Sequence, residues 1–264
     1  MNQAIGVIDS GVGGLTVVKE LLQQLPNESI IYIGDNKRCP YGTRSEQEVL
    51  QFTLEMVEKL AEMNIKLLVI ACNTATAVAL EAVQQRFDMP VIGVIVPGAR
   101  AALMASSTNE IAVLGTTRTI ESNVYKEEIQ KQCPEAVVYS LACPEFVPIV
   151  ESGLYQSEAS QPVIQKRLAH LAPYQFDAAI LGCTHYPLIE HHIQKSLPAH
   201  VKTISSAIEA VKDVTHELDE RELFQDQPSQ REWIFYTTGD VNPFKQVIKD
   251  WLQLEQATIQ QIEL

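Results

Sequence analysis

Basic residues are scarce in this chain of 264 residues. Lys and Arg number 20 against 33 Asp and Glu, a formal charge of −13. Nucleic-acid phosphates are neutralised by Lys and Arg, so this balance argues against a nucleic-acid partner and equally against an anionic membrane surface. Long apolar runs are also missing; none approaches the roughly 18 residues of a membrane-spanning helix. The N-terminal Met1-Asn2-Gln3-Ala4 has neither a basic flank nor a cleavage site, so no secretory signal is expected and the cytoplasm is the expected compartment. Cysteines number five, an odd count with no Cys-x-x-Cys, which excludes a disulfide framework. Metal-ligand spacing is absent too. His185, His191 and His192 cluster, but Pro187 breaks any regular helical face between the first and the others.

What is present is the composition of an ordinary globular protein, 46% apolar and 20% charged. The chain alternates short apolar runs with helical patterns. Ala4 to Ile8 reads as a buried parallel strand. It runs into Asp9-Ser10-Gly11-Val12-Gly13-Gly14 and a helix from Leu15 to Leu25. The glycine spacing does not match the Gly-x-Gly-x-x-Gly of a dinucleotide fold. Ser29 to Ile33 is a second strand, followed by the turn-rich Cys39-Pro40-Tyr41-Gly42-Thr43. Ser45 with Glu48 forms a capping box for a helix to about Met63. Ile65 to Ala71 is a third strand, and Asn73 or Thr74 can cap the helix after it. Val91 to Val96 reads as a fourth strand closed by Pro97-Gly98.

The pattern then restarts. Glu110 to Leu114 is a strand, followed by Gly115-Thr116-Thr117-Arg118-Thr119 and one helix to about Gln132. Ala136 to Leu141 and Phe176 to Leu181 are further strands. A helix starts at Ser206, Trp233 to Thr238 is a strand, and Pro243 to Leu252 is a closing helix. The interval from Asp9 to Gly115 is close to that from Cys72 to Cys183. This predicts an α/β fold of two similar open parallel-sheet domains with a pseudo-two-fold relation and a site in the cleft between them. The last strand and helix exceed what the second unit needs. The expected domains are therefore residues 1–96 with 207–264, and residues 97–206.

Two stretches carry the chemistry. Leu67-Leu68-Val69-Ile70-Ala71-Cys72-Asn73-Thr74 and Ile180-Leu181-Gly182-Cys183-Thr184-His185 each end an apolar run in a thiol. Buried free cysteines are commonly structural, but Cys72 opens a helix, whose N-terminus lowers a thiol pKa. His185 lies two residues after Cys183, within reach as a proton partner. A single nucleophilic Cys needs one base and one oxyanion hole. Two equivalent thiols flanking a cleft suit proton removal on one face of a carbon and return on the other.

Asp9 to Gly14, Pro40-Tyr41-Gly42, Cys72-Asn73-Thr74-Ala75 and Gly182-Cys183-Thr184-His185-Tyr186-Pro187 together resemble the glutamate racemase family. The resemblance spans nearly the whole chain. It implies two α/β domains, no cofactor, no metal, and L- and D-glutamate as small-molecule substrate for a peptidoglycan precursor; it leaves a homodimer open. It implies Cys72 and Cys183 as acid/base thiols assisted by Asp9, Glu151 and His185. Substrate contacts are implied for Asp9, Ser10, Pro40, Tyr41, Gly42, Asn73, Thr74, Thr116, Thr119, Thr184 and His185. Whether Asp9 is a proton partner or a contact to the substrate ammonium stays open. Many members carry Glu where this chain has Val96. A related aspartate racemase, a thiol hydrolase and a non-catalytic amino-acid-binding protein are the competing readings. Cys39, Cys133 and Cys143 lack the strand-end setting and are expected to be structural.

Overall fold

Parallel strands and the helices connecting them form two sheets in the computed structural model, which describes residues 3–225, 231–254 and 257–264. Met1 and Asn2, part of the stretch read for a leader, lie outside them. The first sheet grows from β1 (Ile5–Asp9), β2 (Ile30–Gly34), β3 (Leu67–Ile70) and β4 (Val91–Gly93). Every residue of these strands is buried, as expected where helices cover both faces of a parallel sheet. Helix α1 (Leu15–Gln24) follows β1, α2 (Glu46–Glu62) follows β2, and α3 (Asn73–Arg86) follows β3. The Ser45/Glu48 capping box that starts α2 is formed.

The second sheet contains β5 (Glu110–Gly115), β6 (Val137–Ala142), β7 (Ala178–Gly182) and β8 (Lys202–Ser205). Around it lie α4 (Ile95–Ala105), α5 (Thr117–Glu121), α6 (Val124–Gln132), α7 (Phe146–Glu151), α8 (Gln161–Leu168) and α9 (Glu190–Ser196). The chain then returns through α10 (Ser206–Glu220), β9 (Trp233–Thr237), α11 (Val241–Leu252) and β10 (Thr258–Gln261).

The order is β10-β9-β2-β1-β3-β4 in the first sheet and β6-β5-β7-β8 in the second. The core of each repeats one pattern: the first strand of the unit sits between its second and third. Strand β9 pairs in parallel with β2, and β10 pairs with β9. In this arrangement the ends of β1 and β3, and of β5 and β7, carry the loops of interest, as expected for ligand sites in open α/β sheets.

Four local expectations need correction. The fourth strand stops at Gly93, and Val94 to Val96 enter α4 instead. Pro97-Gly98 does not close a strand; Pro97 falls in the first helical turn, where its missing N–H has no partner to lose. The single helix expected after Thr119 is two, because Asn123 is left-handed with φ 56° and breaks it. The cap of α3 is Cys72 itself, not Asn73 or Thr74, with Sγ accepting from the Ala75 N–H at 3.4 Å. Strands β8 and β10 and helices α4, α7 and α9 went unread.

Candidate active site

The loops after β1, β2, β3, β5 and β7 converge at the strand ends. β1 ends in Asp9, which is wholly buried; its carboxylate accepts from the Gly11 N–H at 3.0 Å and from the Thr184 hydroxyl at 3.1 Å. The second bond ties the first sheet to the loop after β7. Thr16 adds to it by donating to the Thr184 carbonyl at 3.3 Å. Gly13 is required here: a Cβ would stand 2.3 Å from Thr184 Oγ1 and 2.5 Å from His185 Nδ1.

Cys72 is buried, and its thiol lies in hydrogen-bonding contact with Ser10 Oγ at 3.6 Å. Burial and the Asp9 charge push this thiol up to about 12, against the lowering effect of the Ala75 N–H and Ser10. The helix N-terminus therefore acts in the expected direction but is outweighed. Asp9 is itself raised, because burial outweighs the opposing His185 charge and its hydrogen bonds.

Cys183, also buried, has its sulfur 3.7 Å from His185 Nδ1. The other ring nitrogen of His185 meets Glu151 Oε1 at 2.6 Å. Burial alone would depress this imidazole, but its contacts with Cys183 and Glu151 push it well above the ordinary histidine range. Glu151 ends α7 and is part-exposed, so this chain of groups reaches the surface.

A third cluster lies between the sheets. The buried hydroxyls of Thr74, Thr116 and Thr119 stand within 2.9 to 3.1 Å of one another. Gly42 packs on them; a Cβ there would meet Thr116 Cβ at 2.5 Å. Asn73 Oδ1 accepts from the Tyr125 hydroxyl at 2.6 Å, which aims its amide; the buried Nδ2 has no acceptor among the described residues. Asn73 and Thr74 open α3, so their N–H groups lie in its unpaired first turn.

Every residue singled out from the sequence belongs to one of these contacts or flanks one; Pro40 enters only as the neighbour of Tyr41 and Cys39. Among the described residues, one group of three potential metal donors stands together: Cys39, Glu151 and His185, with ligand atoms within 4.8 Å of one another.

The Asp/Glu/Hydantoin racemase family model matches residues 5–214. The chain is 50% identical to a glutamate racemase of Carnobacterium, over 99% of this chain and 98% of that one. A glutamate racemase of Bacillus anthracis superposes with a TM-score of 0.95 at 44% identity, covering 99% and 98% of the two chains. One from Francisella tularensis, in complex with D-glutamate, gives 0.92 at 37% identity with the same coverage. The chain belongs to the glutamate racemase family.

Some residues around the site of this racemase carried no readable role in the sequence. Asp35, wholly buried after β2, accepts from the Tyr41 hydroxyl at 2.5 Å, Arg38 Nε at 2.6 Å and the Thr238 hydroxyl at 2.8 Å. It thereby fixes the Cys39-to-Thr43 loop. Its position at a strand end, like that of Asp9, was the available signal. Tyr125 and Tyr32, which orient Asn73 and the Gly11 carbonyl, came from helix and strand interiors that offered none. Val96, the departure from the family pattern, is an exposed residue of the first turn of α4.

Proposed function

We propose that this glutamate racemase interconverts L- and D-glutamate with Cys72 and Cys183 as its two acid/base groups. The observation that carries the reading is the equivalence of the thiols. Each follows the third strand of a four-strand unit with the same order, and Asp9–Thr184 joins the two loops. On L-glutamate, the Cys183 thiolate takes the Cα proton, with the His185 imidazolium as its counter-charge. The Cys72 thiol then gives its proton to the opposite face, leaving Cys72 as thiolate and Cys183 as thiol. D-glutamate runs the same steps in reverse. The raised Cys72 thiol suits the acid role in the first direction.

The Cα–H bond is a weak acid, so the developing charge on the α-carboxylate needs donors. Asn73 Nδ2, the first-turn N–H groups of α3 and the Thr74, Thr116 and Thr119 hydroxyls supply them, while the Thr184 hydroxyl is held by Asp9. Ser10, Tyr41 and Gly42 line the remaining wall. Asp9 is read as the group that exchanges a proton with Cys72.

Incubating metal-free, cofactor-free protein with L-glutamate in D2O tests this directly. Deuterium should enter Cα as optical rotation is lost; rotation lost without deuterium would end the two-base reading. Aspartate places its distal carboxylate one methylene short and leaves buried donors unpaired, so it should react several powers of ten more slowly.

The same reading extends to setting. The enzyme would supply D-glutamate for peptidoglycan in the cytoplasm, with a homodimer allowed. No helix among the described residues is long and apolar enough to cross a membrane. The pairing of β9 with β2 supports assigning residues 207–264 to the domain of residues 1–96, with 97–206 as the second domain.

A further inference from the structure

We propose that Cys39, Glu151 and His185 form a thiophilic divalent-cation site, of the kind Zn²⁺ prefers, and that filling it switches the enzyme off. The three donors come from three separate elements: the loop after β2, the end of α7 and the loop after β7. Thiolate, carboxylate and imidazole are the donor types of zinc sites, and three protein ligands with a fourth position open is a recurrent arrangement. Their ligand atoms lie within 4.8 Å of one another. Cys39 Sγ is 4.0 Å and His185 Nε2 is 2.6 Å from Glu151 Oε1. Zinc bonds of ordinary length at tetrahedral angles set donors roughly 3.3 to 3.6 Å apart. The thiol has to close on Glu151 by about half an ångström and the His–Glu pair to open by about 0.7 Å, while the thiol and the imidazole, within 4.8 Å of each other, draw together toward about 3.6 Å. Gly11 makes room, since a Cβ there would lie 3.1 Å from the Cys39 sulfur and 3.3 Å from Glu151 Oε1.

A route in is present. Glu151 is part-exposed and lines a cavity of about 510 Å³ between α7 and α11. On coordination the Cys39 thiol proton and the His185 Nε2 proton both leave to solvent, and the cation takes the imidazole nitrogen that otherwise pairs with Glu151. His185, whose other nitrogen lies 3.7 Å from the Cys183 sulfur, is then held by the cation and withdrawn from its part beside Cys183, so racemisation stops. Binding stands on the donor geometry alone; inhibition rests on the role given to His185 above. Cys39, which the proposed chemistry does not use, acquires a function by this route.

The test uses full-length reduced protein stripped with a chelator, titrated with Co²⁺ and with Zn²⁺. Metal-free racemisation of glutamate is recorded first, so failure of the catalytic reading is seen separately. One cation per chain is expected, with a thiolate-to-cobalt charge-transfer band and loss of racemisation at equal occupancy. Cys39→Ser should abolish the band, weaken Zn²⁺ binding at least tenfold and racemise at the wild-type rate without metal. Cys133→Ser should bind as wild type. Absence of stoichiometric binding, or a band that survives Cys39→Ser and so belongs to Cys72 or Cys183, overturns the site. A bound cation that leaves racemisation unslowed overturns the inhibitory half.

Discussion

Cys72 caps a helix of 14 residues, whereas Cys183 precedes a four-residue 3₁₀ turn, Tyr186–Ile189, before the short α9. The first thiol meets a backbone N–H and the Ser10 hydroxyl and lies in the field of the buried Asp9 carboxylate; the second meets an imidazole backed by a second carboxylate. A repeated topology thus delivers two sulfurs to equivalent places and surrounds them with different proton partners. That difference suits a reaction whose two faces need opposite protonation states at the start. It also places the raised thiol on the Asp9 side and the cationic partner on the Cys183 side.

The largest expected effect comes from removing either sulfur. A serine hydroxyl is a far weaker base than a thiolate, so Cys72→Ser and Cys183→Ser should each cut racemisation by roughly 10²–10⁴-fold or more. The residual Cα–H exchange separates the halves. Cys183→Ser should still wash deuterium into D-glutamate, and Cys72→Ser into L-glutamate. If both variants lose exchange with the same enantiomer only, the thiols are not an opposed pair.

The comparison continues at the other ends of the same strands. Immediately before β3, Lys66 is buried and bonds Glu28 at 2.5 Å and the Leu223 carbonyl at 2.6 Å. Removing one partner of a buried ion pair strands the other charge, at a cost of about 3–5 kcal/mol. Lys66→Met should lower the urea midpoint accordingly, and adding Glu28→Leu should recover most of the loss. A double variant no better than the single would show that the bond to Leu223, not the charge pair, anchors this end.

Where the halves touch, Gly13 and Gly42 can be compared. Gly13→Ala would press on Thr184 and His185, and Gly42→Ala on Thr116. Each should cost about 1–3 kcal/mol by overpacking. Gly13→Ala should slow deuterium wash-in to returned L-glutamate more than to returned D-glutamate, because it displaces the partner of Cys183. Racemisation itself slows equally in both directions, so equal slowing of the two wash-in rates is the result that would remove the distinction.

How much of this was legible in the sequence follows from range. Apolar runs and their spacing gave the strands β1, β3, β5 and β7, and hence both thiols, because buried parallel strands write themselves as short continuous runs. The family motifs pointed to Asp9, Glu151 and His185, which the structure brings together across the two sheets. What could not be read depends on contacts made at a distance. Thr238 reaches Asp35, and Cys39 meets Glu151, only after the chain has folded. Strand β10 is short and largely exposed, with no apolar pattern to announce it. The end of β4 was misplaced because Val94-Ile95-Val96 is β-branched yet starts a buried helix; packing overrode propensity.

The smallest effect belongs to the counterpart of Lys66. Asp177, immediately before β7, is held by hydrogen bonds where Lys66 is held by charge. It accepts from the Ser106 hydroxyl, from the Ser107 N–H and hydroxyl at 2.7 Å each, and from the Thr108 N–H at 3.2 Å. These bonds stitch the turn between α4 and β5 to the strand that carries Cys183. Burial pushes the Asp177 carboxyl up, but the hydrogen bonds outweigh it and hold it well below the usual carboxylate range. A folded-state pKa below the unfolded value of 3.8 means that the ionised form stabilises the fold. That stability is fully present above the unfolded value and is lost as pH falls through the folded one. Asp177→Asn keeps one acceptor and loses the charge, so it should cost about 1–2 kcal/mol at neutral pH. The gap between wild type and variant should stay constant from neutrality to about pH 5 and shrink below about pH 4. Lys66→Met supplies no such acid-range convergence from this carboxylate. Urea midpoints measured across the range from neutrality down to about pH 3 check the contrast. A gap between wild type and the Asp177→Asn variant that persists unchanged at the acid end would mean that shape, not charge, secures this end of β7.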